Sequence, residues 1–315
     1  MSKAHRGRKA AKSVLELPEL AQAKSAVLNS LSSLDSQRTY GQAMDQFIRW
    51  YCSEPRLAFS RIIVLRYRIH LEQRHYAPAT INLHLAAVRR LAYEATDAGL
   101  LSAELAAGIQ RVRGVRRLGV RTGNWLTAEQ SRAVLEGPSR NHLRGKRDRA
   151  ILALLLGCGL RRAEAVQLSW EHLQLREARW VIADFVGKGG HVRTVPVPGW
   201  VKRRIDEWRK AARIRRGRVF RPVNKGGQVC GRGITSKVIW HVVRTAAKRA
   251  GIQDVAPHDL RRTCARLCHL RGGELEQIQF LLGHVSIQTT ERYLGCQQKL
   301  RQAVNDHLGI ELETE

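Results

Sequence analysis

Six polar residues along the chain have side chains suited to breaking a phosphodiester bond without a metal ion. They are Arg161, Lys188, His258, Arg261, His284 and Tyr293. Such chemistry needs a nucleophile, cations on the non-bridging phosphate oxygens and an acid for the leaving oxygen. A tyrosine can attack once neighbouring groups help it lose its proton. Arginine forks bind phosphate oxygens in pairs, and histidine moves a proton near neutral pH.

Taken singly, each of these residues has an ordinary structural interpretation. Arg161 follows an apolar helix that we expect to break at two glycines, and Glu164, three positions on, has the helical spacing for pairing with it. Lys188, flanked by glycines, is typical of a solvated turn. His-x-x-Arg strings are common by chance, and a lone tyrosine is most often a core residue. The order and spacing of all six together is a combination that chance seldom assembles.

The charge of the chain indicates the kind of partner. Its 315 residues carry 55 Lys and Arg against 27 Asp and Glu, which gives a net charge of +28 and a pI near 11.1. We therefore expect a polyanionic partner. The 43% apolar content and seven tryptophans predict packed domains and exclude a basic disordered tail.

The elements that must position the six residues fall into two predicted domains. We expect a basic disordered head at 1–13, a helical bundle at 14–110 and a basic linker at 111–122 that Gly114 and Gly119 make flexible. Residues 123–315 form the second domain, which begins near a capping box at Thr127 and Gln130. Both parts are basic: residues 1–122 hold 20 basic and 9 acidic residues, net +11, and the rest hold 35 and 18, net +17.

The second domain changes periodicity once. Runs at 180–186 and 191–197 flank Gly-Lys-Gly-Gly, which predicts a β-hairpin with Lys188 in its turn. Helical patterns return from Ile234, with glycine stops at 251, 272, 273 and 283. The predicted fold class is mainly α, with a small β-hairpin or sheet in an α+β second domain.

Six scattered cysteines favour a reducing cytosol, and we read Cys264 and Cys268 as small apolar residues of the interior instead of zinc ligands. The apolar run Ile151–Leu156 is too short to cross a membrane, and the basic start lacks the apolar region of a signal peptide. We expect a cytoplasmic protein that does not contact the membrane.

The six residues and their contexts resemble the tyrosine recombinase family, also called the phage integrase family. The segments that carry the resemblance are Gly-Leu-Arg161-Arg-Ala-Glu, Gly-Lys188-Gly running to Val-Pro-Val, His258-Asp-Leu-Arg261-Arg-Thr, Leu-Leu-Gly-His284-Val-Ser-Ile-Gln-Thr-Thr, and Arg-Tyr293. The likeness covers residues 125 to 300, and more weakly the amino-terminal helices, which resemble the core-binding (SAM-like) domain of the family.

The resemblance implies a role for each residue. Tyr293 attacks the phosphorus and forms a 3′-phosphotyrosyl intermediate, while Arg161 and Arg261 bind the phosphate. His258 assists the nucleophile, His284 hydrogen-bonds the phosphate and Lys188 protonates the departing 5′ oxygen. The intermediate conserves the bond energy, so the expected enzyme needs no ATP. The sequence also offers no clustered carboxylates of the kind that hold two metal ions in nucleases, and we expect no metal ion or other cofactor.

Two segments bear on partners. His191 stands where many family members carry another basic residue, which leaves the DNA contacts of the hairpin open. Residues 297–308 could form a helix that docks on a neighbouring protomer, as in the family. The amino-terminal extension is too short for a separate arm-binding domain. We expect double-stranded DNA with paired inverted half-sites, a homotetramer on DNA, a monomer in solution and accessory DNA-bending proteins as candidate partners.

Three functions compete at this point. The leading one is a site-specific DNA recombinase; within it we favour the integrase of a phage, transposon or other mobile element, with the resolution of chromosome dimers as a variant. A type IB topoisomerase would share the tyrosine, the arginines and the lysine. A DNA-binding protein that kept the fold and lost catalysis is the third.

Overall fold

The computed structural model describes residues 14–53, 57–116, 124–187, 192–284 and 286–294, without the side chains of Val186, Arg292 and Tyr293. The chain separates into two compact units, one at 1–120 and one at 121–315. The predicted head at 1–13 and the second half of the predicted linker lie outside the described residues, as do the predicted C-terminal helix at 297–308 and the hairpin residues 188–191.

The first unit is a bundle of helices. In chain order they are α1 (Leu17–Asn29), α2 (Leu34–Ser53), α3 (Arg61–Gln73), α4 (Pro78–Asp97) and α5 (Ala103–Gln110). The long helix α4 packs against α1 and α2, and its apolar stripe, which includes Leu85, Val88 and Leu91, is fully buried. Phe47 and Tyr67 meet edge to face in this core, with ring centroids 5.0 Å apart.

The chain after α5 departs from the flexible linker expected from its sequence. Val112 is buried, and both the N–H and the carbonyl of Val115 are hydrogen-bonded by the side-chain amide of Asn82 on α4, at 2.8 and 3.0 Å. Gly114 lies so close to Asn82 that a Cβ would come within 2.4 Å of its Oδ1. The glycine therefore permits close packing here, and the prediction of flexibility is wrong for residues 112–115.

The second unit contains the remaining elements. Its helices are α6 (Ala128–Glu136), α7 (Leu143–Cys158), α8 (Arg162–Gln167), α9 (Gly199–Ala212), α10 (Ser236–Arg249), α11 (Pro257–Leu270), α12 (Leu275–Leu282) and α13 (Ile287–Leu294), and a short 3-10 turn spans Trp170–His172. The predicted capping box at Thr127 and Gln130 is present and starts α6. Helix α7 forms the centre of the apolar core, and residues 150–155 along it are fully buried.

Gly157 and Gly159 act differently from one another. The sequence suggested that α7 breaks at both, but Gly157 lies inside the helix, where a Cβ would come within 2.3 Å of Val201 on α9. Its missing side chain lets the two helices approach. Gly159 ends α7 in the left-handed conformation, with φ of +58°, which a glycine adopts without strain.

A small antiparallel sheet accompanies these helices, with the strand order β1 (Leu173–Arg176), β2 (Arg179–Val186) and β3 (Val192–Pro196). Val181 pairs with Pro196 and Ile182 with Val195, and the register shifts between Ile182 and Phe185. The predicted hairpin corresponds to β2 and β3, whereas β1 was not expected. The prediction of a mainly helical chain with a small sheet is confirmed.

Among the helices in the described ranges, none combines the length and the apolar composition that crossing a membrane requires.

Candidate active site

The end of α7 places Arg161 at the first turn of the next helix. Arg161 is the N-cap of α8, and its Nη1 donates to Oε1 of Glu164 at 2.8 Å. The pairing that the spacing of these residues predicted is therefore present. The other terminal nitrogen, Nη2, donates to the carbonyl oxygen of Gly283 at 3.2 Å. About a quarter (27%) of the Arg161 side chain is exposed, so the guanidinium is anchored without being enclosed.

Arg261 lies one turn into α11 and is 1% exposed. Its two terminal nitrogens donate to the carbonyl oxygens of Gly159 and Leu282, the residues at the ends of α7 and α12. Carbonyls at helix ends lack partners within their own helix, and they suit a buried cation.

The two predicted histidines lie in the same electrostatic environment. Burial lowers the pKa of His258, and the positive charges of Arg262 and Arg261 lower it further. The pKa of His284 is lowered to about 4 by burial and by the charges of Arg261 and Arg161. His284 is therefore neutral at physiological pH, and a neutral imidazole is a single hydrogen-bond donor.

His284 follows Gly283, which ends α12 with a φ of +61°. The Nδ1 atom of His284 lies 3.0 Å from Oγ1 of Thr290, a fully buried residue on α13. Gln279 donates to the carbonyl of His284 at 3.0 Å. These contacts fix both the backbone and the ring of His284.

Helix α13 carries the predicted nucleophile. Tyr293 belongs to its last turn, and the Tyr293 side chain lies outside the described residues. Leu294, next to it, is buried against Ala265, Ile278 and Leu282, and its carbonyl accepts a hydrogen bond from Arg266 at 3.4 Å. The helix is thus packed directly on α11 and α12, which carry or adjoin the other candidate residues. Lys188, in the hairpin turn, lies outside the described residues.

One residue of this cluster was not found from the sequence. Arg193 on β3 donates to both oxygens of Glu164, at 3.1 and 2.8 Å, and only 10% of its side chain is exposed. Its position in the strand gave a signal, since Arg193 shares a face with Val195 and Val197, which are buried. An arginine on the inner face of a strand is stabilised by pairing with an acidic side chain, but the sequence does not show which acidic residue is the partner.

Glu164 holds the two arginines together. Burial alone would raise the pKa of its carboxyl, but hydrogen bonds from Arg193 and from the backbone N–H and side chain of Arg161, together with the charge of Arg193, lower that pKa to about 2. The carboxylate is 5% exposed and stays ionised at every pH at which the protein would be used. Three arginines around one carboxylate leave the cluster positive overall, and Arg161 and Arg261 are the members suited to binding a phosphate group.

The cysteines and possible metal ligands lie apart from this chemistry. Cys158 and Cys264 are buried, and Cys268 is half-buried against the core beneath α12 and α13. This agrees with reading Cys264 and Cys268 as interior residues. Within the described residues, no three His, Cys, Asp or Glu side chains are grouped so that they could hold a metal ion.

The fold defines a class of protein. The structure of a lambda integrase dimer bound to a core site superposes with a TM-score of 0.68 at 15% identity, covering 90% of this chain and 78% of that one. The fold is that of the tyrosine recombinases.

The sequence comparisons give the family. The model of the phage integrase family matches residues 124–299. The tyrosine recombinase XerC of Stutzerimonas stutzeri is 30% identical over 282 residues, which is 87% of this chain and 89% of that protein. XerD of Pseudomonas putida is 34% identical over 169 residues, covering 51% of this chain and about half (53%) of that relative. The chain belongs to the phage integrase family and is a tyrosine-type site-specific DNA recombinase.

Proposed function

We propose that this protein cleaves and rejoins DNA strands at a defined site, with Tyr293 as the nucleophile and a 3′-phosphotyrosyl intermediate. The observation that carries the proposal is the convergence of Arg161, Arg261, His258 and His284 beside the helix that contains Tyr293. A phosphate in this cluster would meet two guanidinium groups and two imidazoles.

The arginines supply charge stabilisation. As the phenolic oxygen bonds to phosphorus, negative charge builds on the non-bridging oxygens, and Arg161 and Arg261 are the cations assigned to them. Both guanidinium groups are already fixed by their hydrogen bonds to Glu164, Gly159 and the carbonyls near the end of α12, so little reorganisation is needed. Removing one preorganised donor of this kind costs ~3 to 4 kcal/mol, or ~100- to 1000-fold in rate.

The histidines have different tasks. His284 is neutral, because its pKa is about 4, and it donates one hydrogen bond to the phosphate. His258 accepts the proton that Tyr293 releases, and burial lowers its pKa so that it is a neutral base at physiological pH.

Lys188 is assigned to the leaving group. The bond from phosphorus to the 5′ oxygen breaks as the bond to Tyr293 forms, and Lys188 gives its proton to that oxygen. In the second step a 5′-hydroxyl of another strand attacks the phosphotyrosine, releases the phenol and restores a phosphodiester. One bond forms for each bond broken, so the exchange needs no ATP.

The two units suggest a division of labour. We assign 14–110 to core-site binding, 111–122 to the connection and 123–315 to catalysis, with a C-terminal tail that contacts a neighbouring protomer. The net charge of +28 favours DNA phosphate as the contact that fixes protein position. A lambda integrase dimer was solved on a core site and XerH on a palindromic site, which supports paired half-sites here. Four protomers would then act on two sites, with the monomer as the free form and accessory DNA-bending proteins as candidate partners.

Two biological settings fit this chemistry. Integration of a mobile element is one, and structural similarity to a transposon integrase agrees with it at 15% identity. Resolution of chromosome dimers is the other, and the curated XerC and XerD relatives at about 30% identity over most of the chain favour it. Direct repeats flanking a mobile segment around the gene would support integration.

A covalent trapping experiment tests the proposed function. The native protein selects its site from randomised duplex DNA, and the recovered site is then built with a nick next to the scissile phosphate so that the cleaved end is lost. We expect a denaturant-resistant adduct with the native protein and none with Tyr293→Phe. A native protein that binds this DNA without forming an adduct would instead be a DNA-binding protein that has lost catalysis.

A second assay separates recombination from topoisomerase activity. A type IB topoisomerase relaxes supercoiled plasmid without a defined site. We expect strand exchange between two plasmid copies of the selected site and no relaxation of a plasmid that lacks it. The reverse pattern would assign the chain to the topoisomerase alternative.

A further inference from the structure

Arg161 is held by two anchors, and one residue touches both of them. The anchors are the carboxylate of Glu164 and the carbonyl oxygen of Gly283. Arg193 donates to both oxygens of Glu164. It also lies against Gly283, where an added Cβ would come within 2.8 Å of the Cδ of Arg193.

Each carboxylate oxygen of Glu164 accepts one hydrogen bond from Arg161 and one from Arg193. Oε1 accepts from Nη1 of both arginines, at 2.8 and 3.1 Å, and Oε2 accepts from the backbone N–H of Arg161 at 2.7 Å and from Nη2 of Arg193 at 2.8 Å. A carboxylate bound in this way cannot rotate without breaking a bond to Arg193. The direction of the Arg161 guanidinium therefore depends on Arg193.

The chemistry of Arg193 suits it to orienting Arg161 through Glu164 and not to binding substrate. Both of its terminal nitrogens are used by Glu164, and its side chain is 10% exposed, against 27% for Arg161. A lysine at this position would keep the charge, but it could not make the paired contact to two carboxylate oxygens that a planar fork makes.

We infer that Arg193 is a positioning residue that orients Arg161 toward the scissile phosphate, acting through Glu164 and the backbone of Gly283. This inference rests on the proposed function, because it assigns Arg193 to the charge-stabilising half of that reaction.

The test compares two substrates that differ in charge. One is the nicked duplex with the natural phosphodiester, and the other carries a neutral methylphosphonate at the scissile position, where a methyl group replaces a charged oxygen. A methylphosphonate develops less negative charge during cleavage, so its reaction depends less on an arginine. A variant that merely damages the fold would lose activity on both.

We expect Arg193→Lys to slow adduct formation by about 100-fold on the phosphodiester, because misplacing a catalytic group slightly has an effect of that size. On the methylphosphonate, the defect relative to the native protein should shrink to about threefold or less. Arg161→Lys should show the same pattern, and the double variant should be no slower than Arg161→Lys alone, since both residues act through one group. The matched control is Arg204→Lys, which changes an arginine paired with Glu207 on α9 and should leave both rates unchanged.

Several outcomes would overturn the inference. Equal defects on both substrates, full activity of Arg193→Lys on the phosphodiester, or multiplying defects in the double variant would each do so. If Arg193→Lys does not fold, Arg193→Gln, which also removes the paired contact to both oxygens of Glu164, should show the same selective defect. If the native protein forms no adduct on either substrate, the proposed function fails, and this inference fails with it. If the native protein does form the adduct, the outcomes named above overturn this inference alone.

Discussion

A carboxylate lies beside arginine near each end of helix α7, the half-buried Asp148 within the helix and the buried Glu164 just beyond it, and the pKa values of the two carboxyls shift in opposite directions. Near its start, Asp148 pairs with the adjacent Arg147 at 2.8 Å, and burial raises the pKa of Asp148 despite that partner. Just beyond its end, Glu164 receives bonds from two arginine side chains and a backbone N–H, and its pKa is lowered to about 2. Burial acts on both carboxylates in the same direction. The number of donors decides the direction in which the pKa of each carboxyl shifts.

Asp148 belongs to a structural ion pair with Arg147, whereas Glu164 belongs to the candidate active site. Arg147 donates hydrogen bonds to Asp148 and to the carbonyl of Arg221, and it thereby joins α7 to the segment that contains Arg221. Glu164 joins β3 to α8 and, through Arg161, to the end of α12. We expect the second carboxylate to matter more for both stability and cleavage.

The largest expected difference lies in stability. Glu164→Gln leaves two arginines facing a neutral group in a buried position, and it should lower the free energy of unfolding by about 3 to 5 kcal/mol. Asp148→Asn leaves only one buried arginine, Arg147, facing a neutral group, and burial already disfavours the charge of Asp148, so the loss should be smaller than that of Glu164→Gln. Urea unfolding measures both variants. Equal losses would show that the number of donors does not distinguish the two sites.

The same contrast predicts opposite pH dependences. The folded-state pKa of Glu164 lies below its ordinary value of 4.5, so the stability it contributes is present above pH 4.5 and is lost as the pH falls toward 2. A shift of that size corresponds to about 3 kcal/mol. The folded-state pKa of Asp148 is raised, so its contribution falls as the pH rises through 3.8.

Unfolding followed between pH 2 and 6 checks this assignment. Glu164→Gln should flatten the rise of stability with pH, and Asp148→Asn should make that rise steeper. A flattening in both variants would mean that Asp148 is also stabilised as an anion.

A smaller effect is expected at the hydrogen bond between His284 and Thr290. The pKa of His284 is about 4, so we expect the Thr290 hydroxyl to donate to Nδ1 and to keep the imidazole proton on Nε2, where it can reach the phosphate. Thr290→Val keeps the shape and removes this bond. It should lower the free energy of unfolding by about 1 kcal/mol and slow adduct formation by roughly tenfold. Thr290→Ser serves as the control that restores the hydroxyl, and an unchanged rate in Thr290→Val would remove Thr290 from the account.

The smallest effect belongs to an exposed pair. Arg176 bonds to Asp184 at 2.8 Å across the sheet, but the two side chains are 44% and 67% exposed. Water screens such a pair, and Arg176→Gln should change stability by less than about 0.5 kcal/mol in urea unfolding. A loss comparable to that of Glu164→Gln would mean that burial does not set the ranking.

The sequence predicted the elements better than the contacts between them. The stripe on α4 and the capping box of α6 follow from local periodicity and end signals, and both are present. The pairing of Arg161 with Glu164 was visible because it lies within one helical turn. Arg193 was missed because its partner is 29 residues away, a distance that no local pattern spans.

The flexibility predicted at Gly114 was wrong, and strand β1 was not predicted, for the same reason. Gly114 was read as flexible, and only its contact with Asn82 in three dimensions shows it to be packed. Strand β1 has four residues and too little alternation to be recognised, and it forms because β2 supplies a partner. Contacts between distant segments decide these cases.

The central claim is that Tyr293 attacks the phosphate held by the arginine cluster, and identifying the modified residue tests it most directly. The trapped adduct is digested with nuclease and trypsin and analysed by mass spectrometry. Trypsin cuts after Arg292 and Lys299, so the expected result is a nucleotide attached to the peptide 293–299 through its tyrosine. A nucleotide on any other residue, or an adduct that persists in Tyr293→Phe, would contradict the account.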